Sequence, residues 1–413
     1  MLFRSDTHDF LTASPTADLT RISNQFDGRV VRRIAFGALA FRIVSAFIAV
    51  LANVLFPLYQ REQFTVFGST SKFWDTFARY DSGWYAQIAQ HGYVFVPGGP
   101  SAGIGKPGKI AFFPLYPLLM RWIGALFGDN PETVYFAGIV ISWASFVAAS
   151  VALYFLARLD LNPRQSERAV LLTAIFPFSF FFGMVYTEAL FLLLSILAFY
   201  GFRTRRWMLG GIAGGLATMT RPTGILILPA LAWIVYKAVE PTWRDRVRAV
   251  TGLILVASGV GTYSLYIYNL SGNPFEWAAS IQRWGYHVGN DPWSAPARLI
   301  GQLATQPYAY LLTDRMAPYD ILYGTTAIAF VLLTPVVWVK FGAGYGLLML
   351  LNLMVPLSSG TFEGMGRYCS VLFPAFMALA TIRSRSATSA LTIGFALFYT
   401  LALALFVTIH PLF

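Results

Sequence analysis

Charge is what this chain has least of. Only 12% of its 413 residues are Asp, Glu, Lys or Arg, and 56% are hydrophobic. A soluble domain carries about a quarter charged residues. The shortage excludes a water-facing surface over most of the molecule, and a mean hydropathy of +0.58 points to lipid as the main solvent. Cysteine is nearly absent too. The single Cys369 excludes an internal disulfide and a Cys-rich metal site. No His, Asp and Glu set has zinc spacing. Residues 57–131 contain no DxD or ExD pair that would hold a divalent cation on a sugar phosphate, so no metal or other cofactor is expected. A cleavable leader is not expected, because residues 1–30 are polar and mixed in charge without a short apolar run. The net charge of +11 comes with no basic stripe, which speaks against a nucleic-acid partner. Internal repeats and low-complexity tails are also missing.

What is present is apolar length. A helix needs about 20 mostly apolar residues to cross the hydrocarbon core. The spans that qualify, two of them short, are 34–56, 132–157, 166–184, 186–202, 207–220, 223–239, 249–270, 319–339, 342–357, 367–382 and 388–409. This predicts an all-α polytopic membrane protein of about eleven transmembrane helices. It divides into a cytoplasmic segment, 1–33, and one transmembrane domain, 34–413. Arg29, Arg32 and Arg33 precede the first span, which places the N-terminus in the cytoplasm by the positive-inside rule. Arg158 and Arg164, then Arg203, Arg205 and Arg206, then Arg244, Arg246 and Arg248, then Arg383 and Arg385 fall in later loops on the same side. The expected home is a bacterial inner membrane, or the endoplasmic reticulum in a eukaryote.

Two outer segments are large, 57–131 and 271–318. The first holds an aromatic amphipathic stretch at 73–91, a Gly/Pro-rich tract from Pro97 to Gly108, and an apolar helix near 112–127. That helix is expected to lie in the interface, since a crossing would invert the later charge pattern. The tract's GIGKPGK lacks the GxxxxGK[ST] spacing of a phosphate loop and reads as a mobile loop. Gly210, Gly211, Gly214 and Gly215 stand at the spacing of a close helix–helix contact.

Polar clusters at a membrane face are candidates for function. Five fall on the predicted outer side: RYDSGWY (79–85), QHGY (90–93), VYTE (185–188), TRPTG (220–224) and MGRY (365–368). Asp81 among aromatics suits a general base whose pKa is lifted by partial desolvation. It equally suits a pair with Arg79 or a cap for a helix starting at Ser82. Glu188 suits the first turn of a helix, capped by Thr187. Arg221 and Arg367 suit a lipid-linked phosphate, which a guanidinium meets with two bonds. The blander reading has them snorkel, with Glu363 as partner of Arg367. Arg42, inside the first span, should pair with a polar neighbour or snorkel. His91 suits a phosphate or sugar, or a purely structural surface position.

The ordered motifs RYDSGWYAQIAQHGY, AFFPLYPLL, FPFSFFFGMVYTEALF, TRPTGILILP, SGNPFEWAASIQRWG and GMGRYCSVLFP resemble the PIG-V family of mannosyltransferases. That family belongs to the GT-C class of multispanning glycosyltransferases. The resemblance runs from about Asp81 to Pro374. It implies a GT-C-like bundle, a polyprenyl-phosphate-mannose donor, and chemistry at the outer face with an essential Asp in the first outer loop. Asp81 occupies that place. The donor phosphate and sugar would fall to Arg221, Arg367, Glu188, His91, Tyr186 and Tyr368. The family's more usual W-D-S reads Tyr80-Asp81-Ser82 here. The acceptor would be a lipid or glycan hydroxyl, and transfer would invert the sugar. Aromatic segments 112–127 and 176–184 are expected to line a groove for the lipid tail. A transporter or flippase of a lipid-linked substrate is the alternative, although neither related halves nor midplane polar residues support it. A non-catalytic scaffold would leave Asp81 and the outer arginines unexplained.

Overall fold

The computed structural model describes residues 27–59, 71–95, 108–128, 130–287, 289–307 and 318–412. The polar stretch 1–26, most of the Pro97–Gly108 tract and residues 308–317 lie outside them, and with them much of the two outer segments' loops. The described chain is helical throughout and forms an all-α polytopic membrane protein.

The first helix, α1 (Gly28–Leu55), starts upstream of the predicted span because Asp27 caps it, accepting from the Arg29 N–H at 2.9 Å. Two short helices follow, α2 (Lys72–Phe77) and α3 (Asp81–His91). Next come α4 (Leu115–Ala125) and the long α5 (Pro131–Ala157). Eleven residues rise only about 16 Å, so α4 is too short to cross. Its Trp122 is 60% exposed, in keeping with an interfacial position. Then come α6 (Pro163–Ile175), α7 (Glu188–Arg203), α8 (Trp207–Thr218), α9 (Ile227–Ala238) and α10 (Trp243–Ser271). The C-terminal half holds α11 (Glu276–Arg283), α12 (Ser294–Thr305), α13 (Pro318–Phe341) and α14 (Ala343–Leu357). It closes with α15 (Met365–Ser370), α16 (Phe373–Leu379) and α17 (Arg385–Val407).

Two predicted spans are broken. The span 166–184 is α6 followed by a 3-10 turn, Pro177–Gly183, bent by 80°. Pro177 has no N–H and pushes Phe176 out of the helical region, to ψ 139°. The span 367–382 divides into α15 and α16 ahead of Pro374. By length and apolarity five described helices can cross a membrane alone, or six with the bent pair. The remaining predicted spans correspond to the shorter helices α7, α8, α9, α14 and the α15–α16 pair. The aromatic run 176–184 is packed inside the bundle and not open to lipid. Phe178, Phe180, Phe181 and Phe182 are fully buried and pack against Tyr323, Phe406 and Phe146.

The glycine cluster does make a close contact, shared between two neighbours. A Cβ at Gly211 would stand 2.6 Å from the Gly252 carbonyl of α10, and one at Gly214 equally close to Val256. Gly210 faces Phe202 of α7 instead, at 2.7 Å. The basic loops gather at one end of the bundle. There Arg203 holds Asp160 at 2.8 Å, Arg205 pairs with Glu240, and Arg168 donates to the Ile382 carbonyl. The helix ends that carry Asp81, Glu188, Arg221 and Arg367 lie at the opposite end of α7 and α8 from these loops.

Candidate active site

The site grows from a strained turn. Tyr80, immediately before α3, sits at φ 47° and ψ −109°, a conformation side-chain-bearing residues rarely adopt. Its surroundings hold it there. Ser82 Oγ accepts from the Arg79 N–H at 3.2 Å and donates to the Val185 carbonyl at 3.0 Å. The Val185 N–H donates to the Phe77 carbonyl at 3.0 Å, and the Tyr186 hydroxyl to the Arg79 carbonyl at 3.2 Å. The turn bearing Asp81 is thereby tied to the segment that starts α7 at Glu188. Arg79 is no partner of Asp81. It is fully buried, paired with Asp75 one turn back, and bonded to Asn53 Oδ1 and the Val407 carbonyl at 3.0 Å each. Nor does Asp81 cap a helix from Ser82, because it is itself the first residue of α3.

Asp81 turns instead to Arg367, whose Nη1 donates to its Oδ2 at 2.7 Å. The Nε of the same guanidinium donates to Glu188 Oε1 at 2.7 Å. Arg221 Nη1 reaches that same oxygen at 2.8 Å. Glu188 is 0% exposed, and its Oε2 is buried without a hydrogen-bond partner. Thr187 stands at the N-cap of α7 but makes no capping bond. The Arg367 guanidinium lies 4.7 Å from the Tyr186 ring centroid and 5.3 Å from that of Phe181, and Arg221 lies 5.4 Å from Tyr368. Such ring faces favour a cation. Four distant motifs thus meet in one network of charges. The pairing of Arg367 with Glu363 expected from their closeness in sequence does not form. Glu363 accepts from the Tyr286 hydroxyl at 3.1 Å. Arg42 is likewise not at a water interface: it is buried, donating to the Ser179 carbonyl at 3.1 Å and stacked on Phe146.

A cavity of about 490 Å³ opens on this network. Asp81, Arg221, Arg367 and Tyr368 line it, with Phe112, Trp284, Tyr286 and Glu363. Burial holds the Glu363 carboxyl above its ordinary range, and the Asp81 charge adds to that shift. Burial also pushes the Tyr286 phenol far up. His91 is not brought into the cavity. It lies exposed at the end of α3. Sequence reasoning missed Trp284 and Tyr286, and gave Glu363 only a structural part. The one available signal was that Trp284 stands in SGNPFEWAASIQRWG and Glu363 two residues before MGRY. Among the described residues no group of three His, Cys, Asp or Glu is placed to hold a metal ion.

Residues 106–264, which contain Glu188 and Arg221, match the family model of dolichyl-phosphate-mannose-protein mannosyltransferase. The chain is 27% identical over 206 residues to GPI alpha-1,6-mannosyltransferase 2 of Rattus norvegicus, a match over 46% of this chain and 39% of that protein. The chain thus matches well under half the length of this relative. Among solved structures, ArnT from Cupriavidus metallidurans bound to undecaprenyl phosphate is 11% identical with TM-score 0.46, covering 90% of this chain and 76% of that one. The apo oligosaccharyltransferase of Archaeoglobus fulgidus is 14% identical with TM-score 0.47, covering 91% and 56%. The sequence matches bear out the resemblance to multispanning mannosyltransferases that the ordered motifs carried.

Proposed function

We propose that this protein is an inverting glycosyltransferase that moves mannose from a polyprenyl-phosphate-linked donor to a hydroxyl of a lipid or glycan acceptor, at the extracytoplasmic membrane face. One observation carries the reading: residues separated by up to 286 positions, each from a motif of the resemblance, converge on a single cavity, where Asp81 is bonded to Arg367 and Arg221 shares the wall. Asp81 takes the proton of the acceptor hydroxyl as that oxygen bonds to the sugar C1. The bond from C1 to the phosphate oxygen breaks, and its electron pair leaves on the polyprenyl phosphate. That phosphate needs no proton near neutral pH. Arg221 and Arg367 stabilise it, as preorganised charge at a developing anion should.

The carboxylates do not exclude this role. A guanidinium carries five N–H groups. Among the described residues, Arg367 engages only Nε and Nη1, and Arg221 only Nη1. Each keeps donors for a phosphate while still bonded to its carboxylate. Glu188, buried behind the cavity wall, serves to orient the two guanidiniums that it holds on Oε1. The reaction needs no metal on this reading.

The test is transfer from radiolabelled polyprenyl-phosphate mannose by the purified protein, with a native membrane lipid extract as acceptor pool. Asp81→Asn should lower the rate about 10²–10⁴-fold, the usual worth of a general base. EDTA should leave the wild-type rate unchanged. A labelled product formed equally well by Asp81→Asn, at equal protein level, would remove the base assignment.

A further inference from the structure

Two groups stand out among the lining residues. Asp81, Arg221, Arg367 and Tyr368 belong to the charge network with Glu188. Glu363, Tyr286 and Trp284 stand apart from it. No hydrogen bond joins Glu363 to either arginine, and its Oε1 takes the Tyr286 hydroxyl. Trp284 stacks edge-on to Trp84 at 5.4 Å and to Phe112 at 5.8 Å, which fixes its ring. Its indole N–H is buried and has no partner, although the residue lines the cavity. A buried donor left unpaired costs about 1–3 kcal/mol. A ligand that draws close to the ring edge would recover that cost.

Charge says which ligand. Asp81, Glu188 and Glu363 give three carboxylates near the cavity against the two guanidiniums of Arg221 and Arg367. The donor phosphate belongs with the cations. A third carboxylate, without a cation of its own, repels a phosphate and suits a group that donates hydrogen bonds. The aromatic rings of the same lining suit the C–H face of a pyranose, and the Trp284 N–H suits one of its oxygens.

We propose that Glu363, held by Tyr286 and flanked by Trp284, binds the acceptor, accepting from a hydroxyl next to the one that Asp81 deprotonates. The assignment rests on the glycosyl-transfer reading and adds to it a specificity-determining residue on the acceptor side.

The test varies each substrate against Glu363→Gln, Tyr286→Phe and Trp284→Phe in the full-length protein. The acceptor probe is the native membrane lipid extract at graded concentration. Donor-side binding is read separately with undecaprenyl phosphate. Glu363→Gln should raise the extract concentration for half-maximal transfer at least tenfold, with undecaprenyl phosphate binding and donor KM unchanged within twofold. Trp284→Phe, which keeps the ring stack and loses the N–H, should shift the same parameter by a smaller factor, and Glu363→Asp should restore part of it. A Glu363→Gln variant that weakens undecaprenyl phosphate binding, or moves neither parameter, would overturn the assignment and leave the transferase reading standing. Wild-type protein that binds undecaprenyl phosphate yet transfers no label would instead remove the transferase reading, and the acceptor subsite with it.

Discussion

At the residue scale, Glu188 bears the most consequence. It is fully buried and receives two guanidiniums on one oxygen. Removing one partner of a buried pair costs about 3–5 kcal/mol, because the other charge is left uncompensated. Glu188→Ala should therefore lower thermal stability in detergent by about that much. Asp81→Asn should cost less, since the Asp81 side chain is 23% exposed and keeps an acceptor oxygen for Arg367. Paired melting curves of the two variants decide it, and equal losses would mean that Glu188 is not the hub. His410 carries a pH dependence. Its ring stacks on Tyr59 at 4.3 Å, its Nδ1 lies 2.6 Å from the Tyr319 hydroxyl, and burial holds it below its ordinary value. The neutral ring is the form that the fold favours. Its stabilising share is present above about pH 6.5 and is lost as pH falls through the lowered value. Melting temperature should drop on acidification below that point, and His410→Asn should flatten the drop.

At the element scale, the contact of α8 with α10 positions Arg221, which follows α8 by three residues. The obstacle at Gly211 is backbone, which cannot rotate away. Gly211→Leu should separate the helices, cost about 1–3 kcal/mol, and weaken transfer by moving Arg221 from Glu188. Gly261 of α10 has nothing within 4 Å of the place a Cβ would take, so Gly261→Ala should be neutral or stabilising. Thermal unfolding of both variants checks the contrast. The glycine spacing announced this contact because small residues every fourth position are a local pattern. The breaks at Pro177 and Pro374 were visible as residues yet lost as structure, because apolar length sums across a proline that the backbone does not. The aromatic run 176–184 went astray for a similar reason: composition tells that rings are apolar, and only packing tells whether they face lipid, a ligand or one another.

At the scale of the whole molecule, the five longest spans and the separation of basic loops from the polar motifs along α7 and α8 were legible in the sequence, since each rests on neighbours along the chain. It did not yield who pairs with whom. The bond from Arg367 to Asp81 spans 286 positions, while Glu363 stood four residues away and drew the pairing by proximity alone. The sidedness can be measured directly. Cys369 is the single cysteine and is buried, so a Cys369→Ala background clears the chain of native thiols without burying a hydroxyl. In that background Arg246→Cys should react with an impermeant maleimide only from the cytoplasmic side, and Trp293→Cys only from outside. The reverse pattern would move the chemistry to the cytoplasmic face.

The sharing of both arginines with carboxylates has a consequence for life in a crowded bilayer. A bare pair of guanidiniums at a membrane surface would be filled at once by the acidic headgroups that vastly outnumber any carrier lipid. Here each positive charge already has an anion, and the third carboxylate turns away a casual visitor. Bulk phospholipid therefore meets a site with little net pull. On the glycosyl-transfer reading proposed above, a molecule that adds sugar contacts to its phosphate competes better than one that brings a phosphate alone.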